Sequence, residues 1–182
     1  MAAPTRTPRH AWVDAALRAF ADGGPEAVRV EPLAKALGVT RGGFYWHFAD
    51  RAALLDELLD TWERRSTDEV LERVESQGGD ARGKVVRAGA LTFAPDLLPV
   101  DLGVRDWARR DPAVARRLRR VDDRRMAYLR QLVGSFVDDA DDVEARCLLA
   151  FSLVIGTHFV AARHDGRTRA QVLERAIQHV LA

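Results

Sequence analysis

The sequence predicts an all-α protein, and three observations carry that prediction. Strand signals, meaning period-two alternation bounded by turn residues, are absent. Apolar residues recur instead at helical spacing through almost all of the 182 residues. Proline- and glycine-rich stops such as "DGGP", "SQGGD" and "APDLLP" separate these runs. About nine helices are expected. They form a small N-terminal three-helix unit over residues 1–50, joined to a larger helical body over residues 51–182 that shares the helix from Arg51.

The first helix is expected from Pro8 to Ala21, with Thr7 as N-cap and Pro8 in the first turn. Its stripe is Trp12, Ala16 and Phe20, flanked by Val13 and Leu17, and Asp22–Pro25 ends it. A short second helix, roughly Glu31–Leu37, tolerates Pro32 in its first turn. Gly38 breaks the chain, and Thr40 can cap a third helix running to about Phe48. Asp50 caps a long helix from Arg51 through Leu54, Leu55, Leu58, Leu59 and Trp62. That helix is expected to continue past Leu71 and Val74 to a stop at Ser76–Asp80. Five more follow, roughly Ala81–Ala94, Asp101–Arg110, Pro112–Val137, Val143–Arg163 and Arg167–Leu181.

Composition excludes several functions. Net charge is +1, so any nucleic-acid contact must come from a local patch. The single cysteine, Cys147, rules out an internal disulfide and a multi-cysteine metal site, and reads as a small buried hydrophobe. "MAAPTRTPRH" lacks the apolar core of a secretory signal. The run Cys147–Ala162 would make a helix of roughly 24 Å, short of the ~30 Å hydrocarbon layer. It reads as a core or interface helix, and a cytoplasmic protein without a membrane partner is expected. There is no phosphate loop after a strand, no nucleophile elbow and no His/Cys/Asp metal cluster, so neither an enzyme nor a cofactor is expected.

Helix, glycine-containing turn and helix within about twenty residues is the helix-turn-helix pattern, whose second helix enters the DNA major groove. On that helix Phe44 and Phe48 share one face and should pack on the core. Arg41, Gly42, Tyr45 and Trp46 fall on a neighbouring arc. Four adjacent aromatic side chains cannot all point inward from one helix. Gly42 lets the backbone approach a duplex, and Gly43 leaves its flank bare. Arg41 can pair bidentately with guanine, and Tyr45 and His47 can reach phosphate oxygens. Arg51 adds a cation at a helix start. Thr40, Arg29 and Lys35 complete the expected DNA-binding set.

"LAKALGVTRGGFYWHFADRAALLDELL", Leu33 to Leu59, closely resembles the N-terminal domain of TetR-family transcriptional regulators. The matching features are Ala34, Gly38–Thr40, Gly42, Phe44–Phe48 and the Asp-Arg and Leu-Leu opening of the long helix. The resemblance is specific over roughly the first third of the chain. It implies that Thr40, Arg41, Gly42, Gly43, Tyr45, Trp46 and His47 line the DNA face, with Arg51 where a lysine usually touches phosphate. Two departures stand out. Arg29 occupies the usual place of a capping Ser or Thr, and Gly43 that of a Thr or Ser.

The resemblance further implies a homodimer reading a palindromic double-stranded operator, most often as a repressor. Its last two long helices would form the interface. Leu148, Phe151, Ser152, Ile155, Gly156 and Phe159 on one, and Val172, Ala176, Ile177 and Val180 on the other, are the candidate surfaces. It also implies a pocket for a small-molecule effector that shifts the Arg51 helix. Candidate lining residues are Trp62, Phe93, Trp107, Met126, Phe151 and His158. The arginine-rich run Arg109–Arg125 reads chiefly as a solvated face with local ion pairs, or alternatively as a site for an anionic effector. The competing function is a helical ligand-binding or interaction module whose helix-turn-helix has lost its role.

Overall fold

Proline at position 8 fixes an extended-to-helical entry, and the first helix, α1, begins immediately after it at Arg9. This computed structural model describes residues 7–182; Met1–Arg6, on which much of the N-terminal reading rests, lie outside the described residues. Among the described residues there are ten helices and no strand. They are α1 Arg9–Ala27, α2 Val30–Ala36, α3 Arg41–Phe44, α4 Arg51–Ser66 and α5 Asp68–Ser76. The chain continues with α6 Ala81–Thr92, α7 Leu98–Ala108, α8 Pro112–Val133, α9 Ala140–Gly156 and α10 Arg169–Leu181.

The expected stop at Asp22–Pro25 is a kink: Gly23 and Gly24 leave helical geometry, Gly24 at φ +66°, before a last short turn to Ala27. Pro8, not Thr7, occupies the N-cap. Asp50 caps α4, its carboxylate accepting from the Ala53 N–H at 2.8 Å. The long helix expected from Arg51 is instead two, because Thr67 breaks it at φ −125°, ψ −76°. Ser66 turns its hydroxyl back onto the Trp62 carbonyl at 2.6 Å, a local bond that competes with straight helix. Ser66 and Thr67 are both buried. The C-terminal helices are also shorter than expected. α9 stops at Gly156, and Thr168 opens α10 with a capping box closed by Gln171. No helix of the described residues is long and apolar enough to cross a membrane.

Two compact units result. The first holds the chain up to Ser66 together with Pro95–Arg119. Its core is the α1 stripe, Trp12, Val13, Ala16, Leu17 and Phe20, against the buried face of α4, Leu54, Leu55, Leu58, Leu59 and Trp62, and against α7. Each such side chain contributes about 1.5–3 kcal/mol by leaving water. The unit carrying the helix-turn-helix therefore extends well past residue 50, because α4 and α7 close its core. Arg65 pairs with Asp14 at 2.8 Å, and Arg117 with Asp60 and Glu63, on the rim of this unit.

Where α7 meets α1 the packing is tight. A Cβ added at Gly103 would stand 2.8 Å from a ring carbon of Phe20, which is buried and cannot swing aside. Gly103→Ala is therefore expected to destabilise the protein by about 1–3 kcal/mol, despite the ~1 kcal/mol that alanine gains in a helix interior. Urea unfolding midpoints of the two proteins check this.

The second unit holds Thr67–Ala94 and Arg120–Ala182. Val70, Val74, Val85, Tyr128, Leu129, Val133, Cys147 and Ala150 are buried in it. The Tyr128 hydroxyl donates to Glu75, whose carboxyl is held below its usual range chiefly by Lys84 and then by this bond. Burial pushes the Cys147 thiol above its ordinary range. Arg130 grips Glu144 with two donors at 2.6 and 2.8 Å. Most of the arginine-rich run is a surface with ion pairs, Arg124 on Asp68 among them; Arg125 is the exception and is buried.

Candidate nucleic-acid interface

Phe44 organises the interface from beneath. It is fully buried, stacks on Phe48 at 5.3 Å between ring centroids, and meets Trp12 edge-on at 5.4 Å. This anchors α3 to α1 through one side chain per turn. The α3 helix is shorter than the expected Thr40–Phe48: regular geometry ends at Phe44, and Tyr45–His47 continue as a tighter turn. The His47 N–H reaches the Phe44 carbonyl at 2.9 Å and the Phe48 N–H reaches it at 3.1 Å. Two glycines in four helical residues weaken propensity enough to explain the early end.

The opposite side is bare. Trp46 is 74% exposed and Tyr45 51%, and Thr40, Arg41 and Gly42 are exposed beside them. Arg41 donates to the Tyr45 hydroxyl at 3.3 Å and to Glu31 on α2 at 3.1 Å. Tyr45, then Glu31, holds the Arg41 guanidinium above its ordinary pKa. The fork is thus pre-positioned on the outer surface with its charge secure. Arg29 stands at the α2 N-cap without a side-chain capping bond, and Lys35 is exposed in the last turn of α2. Thr40 holds the N-cap position of α3, again without a side-chain bond.

The glycines need no explanation from inside the chain. A Cβ at Gly42 would meet only the Thr40 hydroxyl at 3.7 Å, and one at Gly43 only Trp12 at 3.9 Å, both ordinary contacts. Neither has positive φ. Gly42→Ala is accordingly expected to leave stability unchanged or raise it by up to ~1 kcal/mol. DNA affinity should fall roughly tenfold, about the effect of one good contact. Thermal melts and a binding isotherm on the same preparation separate the two.

Two expected contact residues are engaged within the protein. His47 hydrogen-bonds through Nε2 to the Thr7 carbonyl at 2.8 Å, and Arg9 donates to its backbone carbonyl. Arg51 donates from Nε to the Val28 carbonyl at 2.7 Å and from Nη2 to the Pro25 carbonyl. Both carbonyls lie at the end of α1, where that of Pro25 also accepts from the Val28 N–H at 3.2 Å. Arg51 thus clamps the α1 exit to the α4 entry. Arg51→Ala should lower stability by about 1–2 kcal/mol while leaving the salt dependence of DNA binding unchanged. A phosphate contact would instead cost about one unit of that slope per half-site.

This arrangement has known counterparts. Residues 13–58 match the family model for bacterial regulatory proteins of the tetR family. That segment is similar to the N-terminal part of tetR-family regulatory proteins. Over 68 residues it is 38% identical to the HTH-type transcriptional regulator AcrR of Shigella flexneri, a segment covering 37% of this chain and 32% of that protein. The match to this curated relative therefore spans about a third of the relative's length. In solved structures the likeness is one of fold and runs the length of the chain. A transcriptional regulator from Rhodococcus sp. Rha1 superposes with a TM-score of 0.73 at 21% identity, covering 96% of this chain and 94% of the other. A Saccharomonospora viridis regulator crystallised with choline gives 0.72 at 22% identity, covering 94% and 92%.

The second unit holds a pocket of about 1030 Å³. Phe93, Phe151 and His158 line it, and Phe93 and Phe151 meet edge-on at 6.4 Å. Trp62 and Trp107 belong to the first unit, where Trp62 is core and Trp107 packs on Phe20; Met126 is not among the lining residues. Thr92 and Tyr128, both buried on the pocket wall, were not expected there, and Arg125, buried on the same wall, was reached only as one end of the run Arg109–Arg125. Of the candidate interface, Leu148, Ser152 and Phe159 are exposed. Ile155, Gly156, Val172, Ala176, Ile177 and Val180 are partly covered, and Ile177 also lines the cavity. Among the described residues no group of three or more His, Cys, Asp or Glu side chains is placed to hold a metal ion.

Proposed function

We propose that this protein is a sequence-specific DNA-binding transcriptional regulator, a homodimer that represses from a palindromic operator and is released by a small-molecule effector. One observation carries the DNA-binding part. Phe44 and Phe48 pack inward, while Arg41, Gly42, Tyr45 and Trp46 present an arginine fork, a bare backbone and two amphipathic rings outward. One such short segment contacts few bases, so two copies about 34–36 Å apart reading half-sites make physical sense. Leu148, Leu149, Phe159 and Val160 support self-association, since all four are large apolar side chains at least half exposed. The cavity supports a ligand, and release requires that the ligand bind the released state more tightly. The choline of the Saccharomonospora viridis structure is a poor guide to charge, because a buried arginine lines the cavity here.

The test is retention of genomic fragments by the purified protein at ~150 mM salt, followed by sequencing. One enriched palindrome, lost on Arg41→Ala, is the expected result. Weak binding with steep salt dependence and no enriched site would leave only the helical interaction module.

A further inference from the structure

Between Ala27 and Ala49 the sequence carries one acid, Glu31, among Arg29, Lys35, Arg41 and His47. A carboxylate on a surface that meets a polyanion costs affinity unless it serves some other purpose there. Glu31 lies in the first turn of α2 with its side chain 74% exposed. Lys35 stands four residues on, the spacing at which a helix pairs glutamate with lysine. Among the described residues, however, the ion pair of Glu31 crosses the turn to α3, where Oε1 accepts from Arg41 Nη1 at 3.1 Å. Arg41 Nη2 donates to the Tyr45 hydroxyl at 3.3 Å. The Tyr45 ring is itself set edge-on against the buried Phe44 at 5.2 Å. Each end of the fork is therefore held, one from α2 and one from the end of α3. An N–H on each Nη, and that of Nε, remain to be offered outward.

We propose that Glu31 is a positioning residue that gives the interface its preference for bases over phosphates, acting through Arg41. A phosphate approaching the guanidinium brings a full negative charge beside the carboxylate, and the two repel. A guanine edge presents O6 and N7, which are neutral acceptors, and brings no such charge. Glu31 thus penalises the phosphate contact more than the base contact, and specificity is built from such unequal penalties. This inference rests on the DNA-binding reading proposed above.

Glu31→Gln keeps the size of the side chain and an acceptor but removes the charge. Binding of the full-length protein to an unrelated duplex and to the enriched operator is measured over a salt series. On the unrelated duplex the variant is expected to bind about fivefold more tightly at ~150 mM salt, with a slope steeper by about one unit per recognition segment, because Arg41 is released to a phosphate. The operator should gain nothing, so the ratio of the two affinities falls by at least about fivefold. In an Arg41→Ala background the same substitution should leave the slope unchanged and the ratio within about twofold. Thermal melts should coincide, since exposed pairs add little to stability, and this separates the effect from a loss of structure. An unchanged slope and affinity on the unrelated duplex would overturn the proposal. An effect of equal size in the Arg41→Ala background would do the same, because the carboxylate would then act without Arg41. An operator bound with either of these results defeats only the role of Glu31. An unmodified protein that enriches no site defeats the regulator reading, and the preference proposed here with it.

Discussion

Arg41→Ala is expected to reduce affinity for the enriched operator by about ten- to a hundredfold per half-site, with fold and stability unchanged. The magnitude is that of one bidentate contact to a guanine, and a symmetric dimer loses it twice. The structure explains why the loss is confined to binding. Arg41 is exposed, its partners Glu31 and Tyr45 are exposed with it, and no core side chain leans on it. Exposed pairs of this kind add little to stability. Binding to unrelated DNA should fall far less, so the ratio of specific to non-specific affinity is the quantity to measure. An equal fall on both would make Arg41 a phosphate contact and shift base reading to Tyr45 and Trp46.

Phe44→Ala should do the reverse, costing about 3–5 kcal/mol of stability. Phe44 is wholly buried and touches Trp12, Tyr45 and Phe48 through its ring. Removing it opens a void beneath α3, whose four helical residues have little propensity of their own. Operator binding would be lost as a consequence of disorder, and both specific and non-specific binding would fall. Denaturant unfolding followed by tryptophan fluorescence is a direct readout, since Trp12 borders the void. A stable Phe44→Ala protein would show that α2 and α4 alone hold the recognition segment.

The contrast between these two positions was readable from spacing, because inward and outward residues alternate within one short amphipathic turn. Element order followed from proline, glycine and capping residues in the same way, apart from the split of the long helix from Arg51 into α4 and α5. What spacing could not show was the break at Thr67, since Leu71 and Val74 continue the helical period across it. The engaged state of Arg51 was equally hidden. Its partners, Val28 and Pro25, are backbone carbonyls over twenty residues away, beyond the kink at Gly23–Gly24. Arg125 stood in a run of arginines indistinguishable by composition, and burial separated it from the rest. The Glu31 contact to Arg41 depends on how α2 and α3 cross, which no periodicity encodes.

The clamp formed by Arg51 has an implication for how such a protein diversifies. The corner that sets the helix-turn-helix is tied by a side chain to main-chain carbonyls, and the segment Arg41–Trp46 hangs from it by Phe44 and Phe48. Backbone acceptors survive any mutation of their own side chains, so the corner tolerates sequence drift on the α1 side. Changes at Arg41 and Gly42 meet few constraints, since both are exposed and a Cβ at Gly42 would make only an ordinary contact. On the proposed reading, the DNA sequence recognised is exchanged by surface substitution alone, without the fold being renegotiated.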